Sequence, residues 1–511
     1  MKYTNPIISG FHPDPSVCRV GDDYYLVTSS FEYFPGIPIF HSQDLVNWEQ
    51  LGHVLMRESQ LQLTRQHSYV QSQGIYAPTI RYYNGRFYVI STNITITTSF
   101  YVWADDPKGP WSDPIFINGW MGFDPSLFFD EDGKTYLTGA SFPGFGEDGI
   151  IQAEINIETG ELINESRMIW EGSGGCSPEG PHLYKINGLY YLMIAEGGTE
   201  HGHIVTIGRS HNPYGPFENY ASNPILSNRS TKKAIQATGH ADLTQAADGS
   251  WWAVFLGIRP VKSTKLHHLG RETNLAPVKW TEDGWPVIGN DGIAEVTNDA
   301  PALPPGNSHG WQEIEHFDDQ SLAPIWNFYR NPTEGSWSLS ERPGSLSLLG
   351  QSCTLNDNSS PTFIGRRQQH FDCTITAHME FAAVEEGEEA GLTVFMSESF
   401  HYDIAKTVSQ GKSYILFRRR VGSLWKVEKE VEYAEPSVTL AIKATETSYT
   451  FSFISADDNE EQLGNGETAF LSTPIAGGFT GVFFGMYATG NGKPSRVHAH
   501  FDYFRYVSGD K

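Results

Sequence analysis

The chain has 511 residues, of which 60 are acidic and 35 are basic, giving a net charge of −25. Such a surface repels polyanions, so nucleic acid and anionic membranes are excluded as general partners and a neutral substrate is favoured. The four cysteines form no C-x-x-C pair and predict no disulfide framework. Neither a secretory h-region nor a long apolar run is present, so a cytoplasmic location is expected.

Up to about residue 290 the chain is a series of short strands between turn signals. Five turn sequences each precede an aromatic-rich run, and they are Gly21-Asp22-Asp23, Asn84-Gly85, Asp132-Gly133, Asn187-Gly188 and Asp248-Gly249. Asn-Gly and Asp-Gly are typical of two-residue hairpin turns with positive φ at both central positions. Each unit is therefore predicted to be a strand, a two-residue turn and a second strand.

The same short motif opens each unit. Asp14-Pro15-Ser16 is repeated as Asp124-Pro125-Ser126, and altered copies are Ala77-Pro78-Thr79, Glu179-Gly180-Pro181 and Gly239-His240-Ala241-Asp242. Five all-strand units with this self-similarity indicate a five-bladed β-propeller. The first strand of each blade lines the central axis, so the five motifs are expected to converge on one pocket, with their key residues at the same place in every blade.

The composition and the repeat pattern of the sequence change after the propeller units. A Pro-rich stretch at 300–306 is typical of a linker, and the rest alternates as short strands without further repeats. The pattern favours a two-sheet sandwich. We predict an all-β protein with a five-bladed β-propeller domain at 1–298, a linker at 299–310 and a C-terminal β-sandwich at 311–511.

Three of the axial positions carry a carboxylate, namely Asp14, Asp124 and Glu179. Asp before Pro is common in turns, so each residue alone has a structural explanation. Three converging carboxylates repel each other, and such perturbed acids are typical of functional sites. Acids facing each other in an aromatic-rich pocket indicate glycoside hydrolysis, in which one acid protonates the leaving oxygen and another activates water or attacks directly.

Two histidine pairs are weaker metal candidates, because a third ligand is not evident at the spacing that a metal requires. They are His201-Gly202-His203 and His267-His268.

Taken together, the motifs resemble a β-xylosidase of glycoside hydrolase family 43. The resemblance runs in order through the whole propeller and continues into the C-terminal half. It rests on the following stretches: Asn5 to Ser16, Tyr24 to Phe31, Phe34 to Ile39, Phe123 to Phe128, Glu179 to Tyr184, Ala195 to Thr199, Thr238 to Ala241 and Leu269 to Thr273.

The resemblance implies a five-bladed propeller, a concanavalin-like sandwich and an inverting mechanism. Asp14 would be the general base and Glu179 the general acid. Asp124 would orient Glu179 and raise its pKa by like-charge repulsion.

The resemblance also implies the residues that bind substrate. Arg271 would bind sugar hydroxyls and Phe31 would wall the terminal sugar. Tyr76 stands where some relatives have Trp, which changes that wall. His240 lies on the axis, where parts of the family place a calcium ion or a water cluster.

No cofactor is expected to be required, although a structural Ca²⁺ near the axis stays open. A homodimer or homotetramer is implied by the resemblance alone. The sequence leaves three functions in play. They are an exo-acting β-1,4-xylosidase on xylo-oligosaccharides, an α-L-arabinofuranosidase or dual enzyme on arabinoxylan-derived substrates, and a non-catalytic sugar-binding protein.

Overall fold

The computed structural model describes residues 2–61, 63, 71–142, 148–262, 264–307 and 312–509. These residues are almost entirely β-structure. The short helical segments within them are 3₁₀ turns at Glu58–Gln60 and Thr468–Leu471 and one α-helix, α1, at Thr473–Ala476. None of the helices in the described ranges has the length and apolar character needed to cross a bilayer.

The propeller half contains the following strands in chain order: β1 Lys2–Thr4, β2 Ser16–Val20, β3 Asp23–Val27, β4 Tyr33–Phe34, β5 Gly36–Ser42, β6 Glu49–Leu55, β7 Thr79–Tyr83, β8 Arg86–Asn93, β9 Thr98–Ala104, β10 Ile115–Phe116, β11 Gly122–Phe129, β12 Thr135–Ser141, β13 Ile150–Glu154, β14 Arg167–Trp170, β15 Glu179–Ile186, β16 Leu189–Glu196, β17 Ile204–Ser210, β18 Glu218–Asn219, β19 Gln236–Gln245, β20 Trp251–Ile258, β21 Glu272–Trp280, β22 Pro286–Ile288 and β23 Thr297–Asp299.

The strands form five four-stranded antiparallel sheets, which confirms the five-bladed propeller. Their orders are β2-β3-β5-β6, β7-β8-β9-β10, β11-β12-β13-β14, β15-β16-β17-β18 and β19-β20-β21-β22. The first strands of neighbouring blades pack against each other around the axis. The ring is secured at its seam by the N-terminal segment, where the Asn5 side chain exchanges hydrogen bonds with the backbone of Leu275 in blade 5.

The predicted two-residue turns are correct at both Asn-Gly sites. Tyr83 pairs directly with Arg86, and Asn84 and Gly85 have φ of 48° and 84°. The same prediction is wrong for the two Asp-Gly sites, where five residues separate the paired ends of the strands. There the Asp accepts hydrogen bonds from the turn, as Asp248 does from Ser250, and only the glycine takes positive φ.

The C-terminal half contains β24 Ile314–Glu315, β25 Asn327–Tyr329, β26 Trp337–Ser338, β27 Leu346–Leu349, β28 Thr362–Arg367, β29 Cys373–Glu380, β30 Glu389–Ser397, β31 Phe400–Ser409, β32 Lys412–Val421, β33 Leu424–Glu432, β34 Ser437–Ala444, β35 Ser448–Ile454, β36 Glu460–Glu467, β37 Phe483–Thr489 and β38 His498–Ser508. Together with β4 from the propeller half, these strands form two eight-stranded sheets. One has the order β26-β27-β38-β29-β34-β35-β36 with β24 beside β38, and the other runs β33-β32-β31-β30-β37-β28-β25-β4.

The last strand of the second sheet comes from the propeller half of the chain. Tyr33 and Phe34 of β4 pair with Tyr329 and Phe328 of β25. The Tyr33 ring also stacks on Phe483 of β37, with centroids 3.8 Å apart. Both halves therefore share a sheet immediately beside Phe31, the residue that the sequence assigned to the sugar wall.

Candidate active site

The motifs of blades 3, 4 and 5 each interrupt the pairing between the first two strands of their blade. Register shifts fall at Phe123/Ser126 in blade 3, at Glu179/His182 in blade 4 and at Gly239/Asp242 in blade 5. A β-bulge bends its strand and re-aims the side chains on it. The bulges therefore turn these side chains toward the pocket at the end of the axial strands.

The register shows that the acid of blade 4 is offset by one residue from those of blades 1 and 3. Counting back two residues from the first regular pair of blades 1, 3, 4 and 5 gives Asp14, Asp124, Gly180 and His240. All four share a left-handed backbone, with φ of 55°, 47°, 57° and 46°. The expectation that Glu179 occupies the same place as Asp14 and Asp124 is therefore wrong.

Packing explains the offset. A Cβ on Gly180 would lie 2.8 Å from the His240 ring, so the position equivalent to Asp14 cannot hold a side chain in blade 4. The carboxylate comes from the preceding residue, Glu179, whose side chain is 19% exposed, whereas that of Asp14 is 5% exposed. The offset thus leaves Glu179 more accessible from the pocket opening than Asp14.

Asp14 is a buried carboxylate held by charged and hydroxyl donors. Arg271 Nη1 donates to its Oδ1 at 2.7 Å, and Ser29 Oγ donates to its Oδ2 at 2.5 Å. Burial acts to raise the pKa of Asp14, but Arg271, His240 and Ser29 outweigh it and hold the pKa below its usual value. Asp14 is therefore ionised at neutral pH.

Asp124 has the opposite electrostatic character. Burial raises its pKa well above the usual value, and the nearby carboxylates of Glu179 and Asp14 raise it further. The Arg271 guanidinium and a backbone hydrogen bond from Ala77 in blade 2 oppose the shift without reversing it. The site thus places a carboxyl whose pKa is lowered, Asp14, near one whose pKa is raised, Asp124.

Glu179 lies beside a histidine that the sequence analysis considered only as a metal candidate. Nε2 of His203 is 3.5 Å from Glu179 Oε1, and the ring is fully buried. Among the described residues neither ring nitrogen of His203 has a hydrogen-bond partner. A Cβ on Gly239 would lie 2.3 Å from this ring, so the glycine makes room for it.

The loop before Glu179 is fixed by Glu196, a buried carboxylate at the end of β16. Its oxygens accept hydrogen bonds from the backbone of Ser173 at 3.1 Å and of Gly175 at 2.8 Å, and from the hydroxyls of Ser173 at 2.6 Å and Thr206 at 2.5 Å. Three of these four donors belong to the loop and the fourth, Thr206, lies in β17, so the carboxylate ties the loop to its blade. The sequence resemblance included Glu196 in a motif but gave it no role.

His240 faces Asp14 across the axis, with Nδ1 3.7 Å from Oδ1. Burial lowers the pKa of His240, against the pull of Asp14 and Glu179. The imidazole is therefore neutral near pH 7, and its ring forms part of the wall between blades 4 and 5.

The predicted wall residues Phe31 and Tyr76 form an aromatic cluster with Phe479, which the sequence analysis did not predict. Ring centroids are 5.2 Å apart for Phe31 and Tyr76, 6.0 Å for Phe31 and Phe479, and 6.3 Å for Tyr76 and Phe479. Burial, and then the charge of Asp124, raise the pKa of Tyr76, so its hydroxyl stays protonated. Phe479 comes from the sandwich, which therefore contributes directly to the rim of the pocket.

Arg271 joins these parts. Besides Asp14, it donates to Thr199 Oγ1 at 3.0 Å and to the Phe479 backbone oxygen at 3.3 Å. Its guanidinium lies 5.6 Å from the Phe31 ring centroid. One side chain thus connects the proposed base, the rim of blade 4 and the sandwich.

Below the acids lies a buried polar layer centred on Asp242. Its carboxylate accepts hydrogen bonds from Ser16 at 2.7 Å, from Arg81 at 2.8 Å and from Tyr184 at 2.7 Å. Arg81 also contacts His182 Nδ1 at 3.0 Å. Burial works against ionisation of Asp242, but Arg81 and His182 lower its pKa further than burial raises it. The layer ties blades 1, 2, 4 and 5 together directly beneath the reacting groups.

The calcium ion near His240 stays a prediction. Calcium prefers six to eight oxygen ligands, and an imidazole nitrogen is not among them. Within the part of the chain that the structure describes, no three His, Cys, Asp or Glu side chains form a metal-binding group. These residues do not fit a metal centre built by the protein alone.

Comparison with known proteins assigns both halves of the chain to known families. The family model of glycosyl hydrolases family 43 matches residues 3–286, and that of the beta xylosidase C-terminal concanavalin A-like domain matches 314–507. A non-reducing end alpha-L-arabinofuranosidase of Bacteroides ovatus is 47% identical, covering 98% of this chain and 94% of its own. A xylosidase/arabinosidase of Butyrivibrio fibrisolvens is 37% identical, covering 98% of each.

A solved structure supports the same assignment. The xylan beta-1,4-xylosidase of Bacillus halodurans superposes with a TM-score of 0.93 at 35% identity, covering 99% of this chain and 100% of its own. Sequence and overall fold agree with these relatives over both halves of the chain. The chain therefore belongs to glycoside hydrolase family 43 and carries the C-terminal concanavalin A-like domain of its β-xylosidases.

Proposed function

We propose that the protein is an exo-acting, inverting glycosidase that removes a single terminal pentose, in the first place β-1,4-linked xylose from xylo-oligosaccharides. The observation that carries the proposal is the opposite effect of the surroundings on two buried aspartates, since they lower the pKa of Asp14 and raise that of Asp124, beside the more exposed carboxylate of Glu179. Pairs of titratable groups pushed apart in this way are typical of acid–base catalysis.

Asp14 is the proposed general base. It remains ionised because Arg271 and Ser29 bind one oxygen each, and it accepts a proton from water as that water attacks the anomeric carbon. The bond from water oxygen to carbon forms while the glycosidic bond breaks.

Glu179 is the proposed general acid, and Asp124 is its partner. Glu179 donates a proton to the leaving oxygen, so the sugar departs as a neutral alcohol. Burial and the neighbouring carboxylates of Glu179 and Asp14 raise the pKa of Asp124. Asp124→Asn removes this ionisable group, and we expect a lower kcat and a changed alkaline limb of the kcat/KM profile.

The exo mode is supported by the position of the sandwich. Phe479 contacts Phe31 and Tyr76, and its backbone is hydrogen-bonded to Arg271, so the loop that carries it narrows the pocket on one side. A pocket walled by three rings suits one terminal sugar better than the middle of a long chain.

The second candidate is an α-L-arabinofuranosidase, or a dual enzyme. It is favoured by the name of the 47% identical relative, a non-reducing end alpha-L-arabinofuranosidase. Xylopyranose and arabinofuranose present similar hydroxyls to the pocket. Side-by-side assay of the two nitrophenyl glycosides decides between them, and a dominant arabinofuranoside rate would make arabinofuranose, rather than xylose, the preferred sugar.

The catalytic assignments are tested with Asp14→Asn and Glu179→Gln, and with Asp132→Asn and Glu131→Gln as exposed controls. Each active-site variant should lose about 10²–10⁴-fold in kcat, whereas the controls stay near wild type. The Glu179 loss should be smaller on a nitrophenyl glycoside than on xylobiose, because a good leaving group needs less acid assistance. Near-wild-type turnover in either active-site variant would contradict the assignment.

Stereochemistry provides an independent test. We expect the first product seen by proton NMR to have the anomeric configuration opposite to that of the substrate. Retention would replace the general-base role of Asp14 with a nucleophilic one. Binding of xylo-oligosaccharides without hydrolysis of any pentoside would favour a sugar-binding protein instead.

A further inference from the structure

A wide groove beside the active site has the opposite charge to the rest of the protein. It lies between the rims of blades 4 and 5 and the sandwich and has a volume of about 1290 Å³. Six of its lining side chains are cationic and two are anionic. The cations are Arg229, Lys232, Lys233, Arg259, Lys262 and Lys265, and the anions are Asp372 and Glu446. In the chain as a whole acidic residues outnumber basic ones, 60 to 35.

Two of these cations already have carboxylate partners. Lys233 pairs with Glu295 at 2.5 Å, and Arg259 pairs with Glu272 at 2.6 Å. The charges of Lys233 and Arg259 are therefore already neutralised within the protein.

The other four cations have no such partner. In the described ranges no carboxylate oxygen lies within 4.0 Å of the charged nitrogens of Arg229, Lys232, Lys262 or Lys265, and all four residues are exposed. Like charges gathered in a concave surface focus the electrostatic field and attract anions. The groove therefore presents four positive charges that no carboxylate of the described residues neutralises.

The groove starts at the loop that carries the proposed general acid. Gly175 and Cys176 line it, and Glu179 follows three residues after Cys176. Glu196 fixes this loop through the Gly175 amide. Because the acid protonates the leaving oxygen, the leaving group lies on the side of Glu179, and the groove extends from that side.

We propose that this groove binds the leaving-group part of an acidic oligosaccharide, one that bears a uronic acid carboxylate beyond the cleaved bond. The proposal rests on the proposed function, since it takes Glu179 as the acid. Ammonium and guanidinium groups form charge-assisted hydrogen bonds to such a carboxylate. Exposed pairs are individually weak and sensitive to salt, so the expected preference is moderate and falls as ionic strength rises.

The test compares two xylo-oligosaccharides of equal length, one neutral and one carrying a uronic acid on an internal unit. In the wild type, kcat/KM should be higher for the acidic substrate at low salt. The triple variant Lys232→Gln, Lys262→Gln, Lys265→Gln should lower kcat/KM for the acidic substrate by about tenfold and leave the neutral substrate unchanged. High salt should have the same effect on the wild type.

The matched control is the triple variant Lys412→Gln, Lys426→Gln, Lys493→Gln, which removes the same charge from the exposed surface of the sandwich. It should leave both substrates unchanged. Equal kcat/KM for the two substrates in the wild type, or an equal loss on both in the groove variant, would overturn the proposal.

Two further outcomes are decisive. If the groove variant changes the sedimentation coefficient and leaves the acidic substrate unaffected, the groove is covered by the acidic surface of a second copy and the proposal is wrong. If the protein hydrolyses no pentoside, the proposed function fails. Calorimetric titration with the uronate-bearing oligosaccharide then decides the groove alone, since binding that is lost in the triple variant supports it and no binding overturns it.

Discussion

Glu32 lies directly after the sugar-wall residue Phe31 and is a buried acid whose ionisation opposes folding. Its side chain is buried, and its Oε1 accepts a hydrogen bond from the Ser72 amide at 2.6 Å. Burial raises its pKa from 4.5 to about 7, although Arg330 acts in the opposite direction. Between these two values the folded chain holds a proton that the unfolded chain has released, so stability falls as pH rises through this window.

The size of the effect follows from the shift. A difference of roughly 2.5 pKa units corresponds to about 3 kcal/mol at pH values above the folded pKa. For a chain of this length the entropy of unfolding is roughly 1 kcal/mol per degree, so the expected change in Tm is about 3 °C.

The perturbation is Glu32→Gln, which keeps an acceptor for the Ser72 amide and is neutral at every pH. Thermal unfolding is followed by calorimetry at pH 5 and pH 8 for both proteins. We expect similar Tm values at pH 5 and a Tm higher in the variant by about 3 °C at pH 8. The other titrating groups contribute equally to the Tm of both proteins, so their contributions cancel in the difference between the two Tm values.

Glu131→Gln, at an exposed position, is the control and should follow the wild type at both pH values. A variant that is no more stable than wild type at pH 8 would refute the reasoning.

Three further substitutions test the supports of the site. Glu196→Gln leaves donors of the loop before Glu179 without an acceptor and should lower the free energy of unfolding by roughly 2–4 kcal/mol. The variant should have a lower Tm and a lower kcat, and an unchanged kcat would show that this loop does not affect catalysis. Gly239→Ala should displace the His203 ring and reduce kcat on xylobiose more than on a nitrophenyl glycoside, and an equal loss on both would contradict a role through Glu179. Phe479→Ala should raise KM up to about tenfold with little change in Tm, because its ring is 38% exposed, and an unchanged KM would remove it from the sugar wall.

The repeat could be read from the sequence because turns and aromatic strands are local signals. The recurrence of the motif placed Asp14, Asp124 and Glu179 on the axis, and the family resemblance added Arg271. The one-residue offset of Glu179 could not be read, since it depends on a bulge and on the His240 ring filling the space beside Gly180.

The residues that the sequence missed act over long distances in the chain. Phe479 reaches Arg271 across 208 positions, and Asp242 reaches Ser16 across 226. His203 and Glu196 gave weak signals because a buried histidine or glutamate has no periodic pattern of its own. The His-Gly-His spacing and the Ala195 to Thr199 motif marked their neighbourhood without giving their partners.

The strand β4 has a consequence for how this protein can be divided. Tyr33 and Phe34 complete a sheet whose other seven strands lie beyond residue 324, so a cut at the linker would leave an unpaired edge on the sandwich and strip a stacked ring from the propeller. The propeller and the sandwich therefore cannot be exchanged as independent domains. A chimera needs the sandwich and the segment around Phe31 from the same parent. Replacing the sandwich therefore also replaces part of the wall of the sugar pocket.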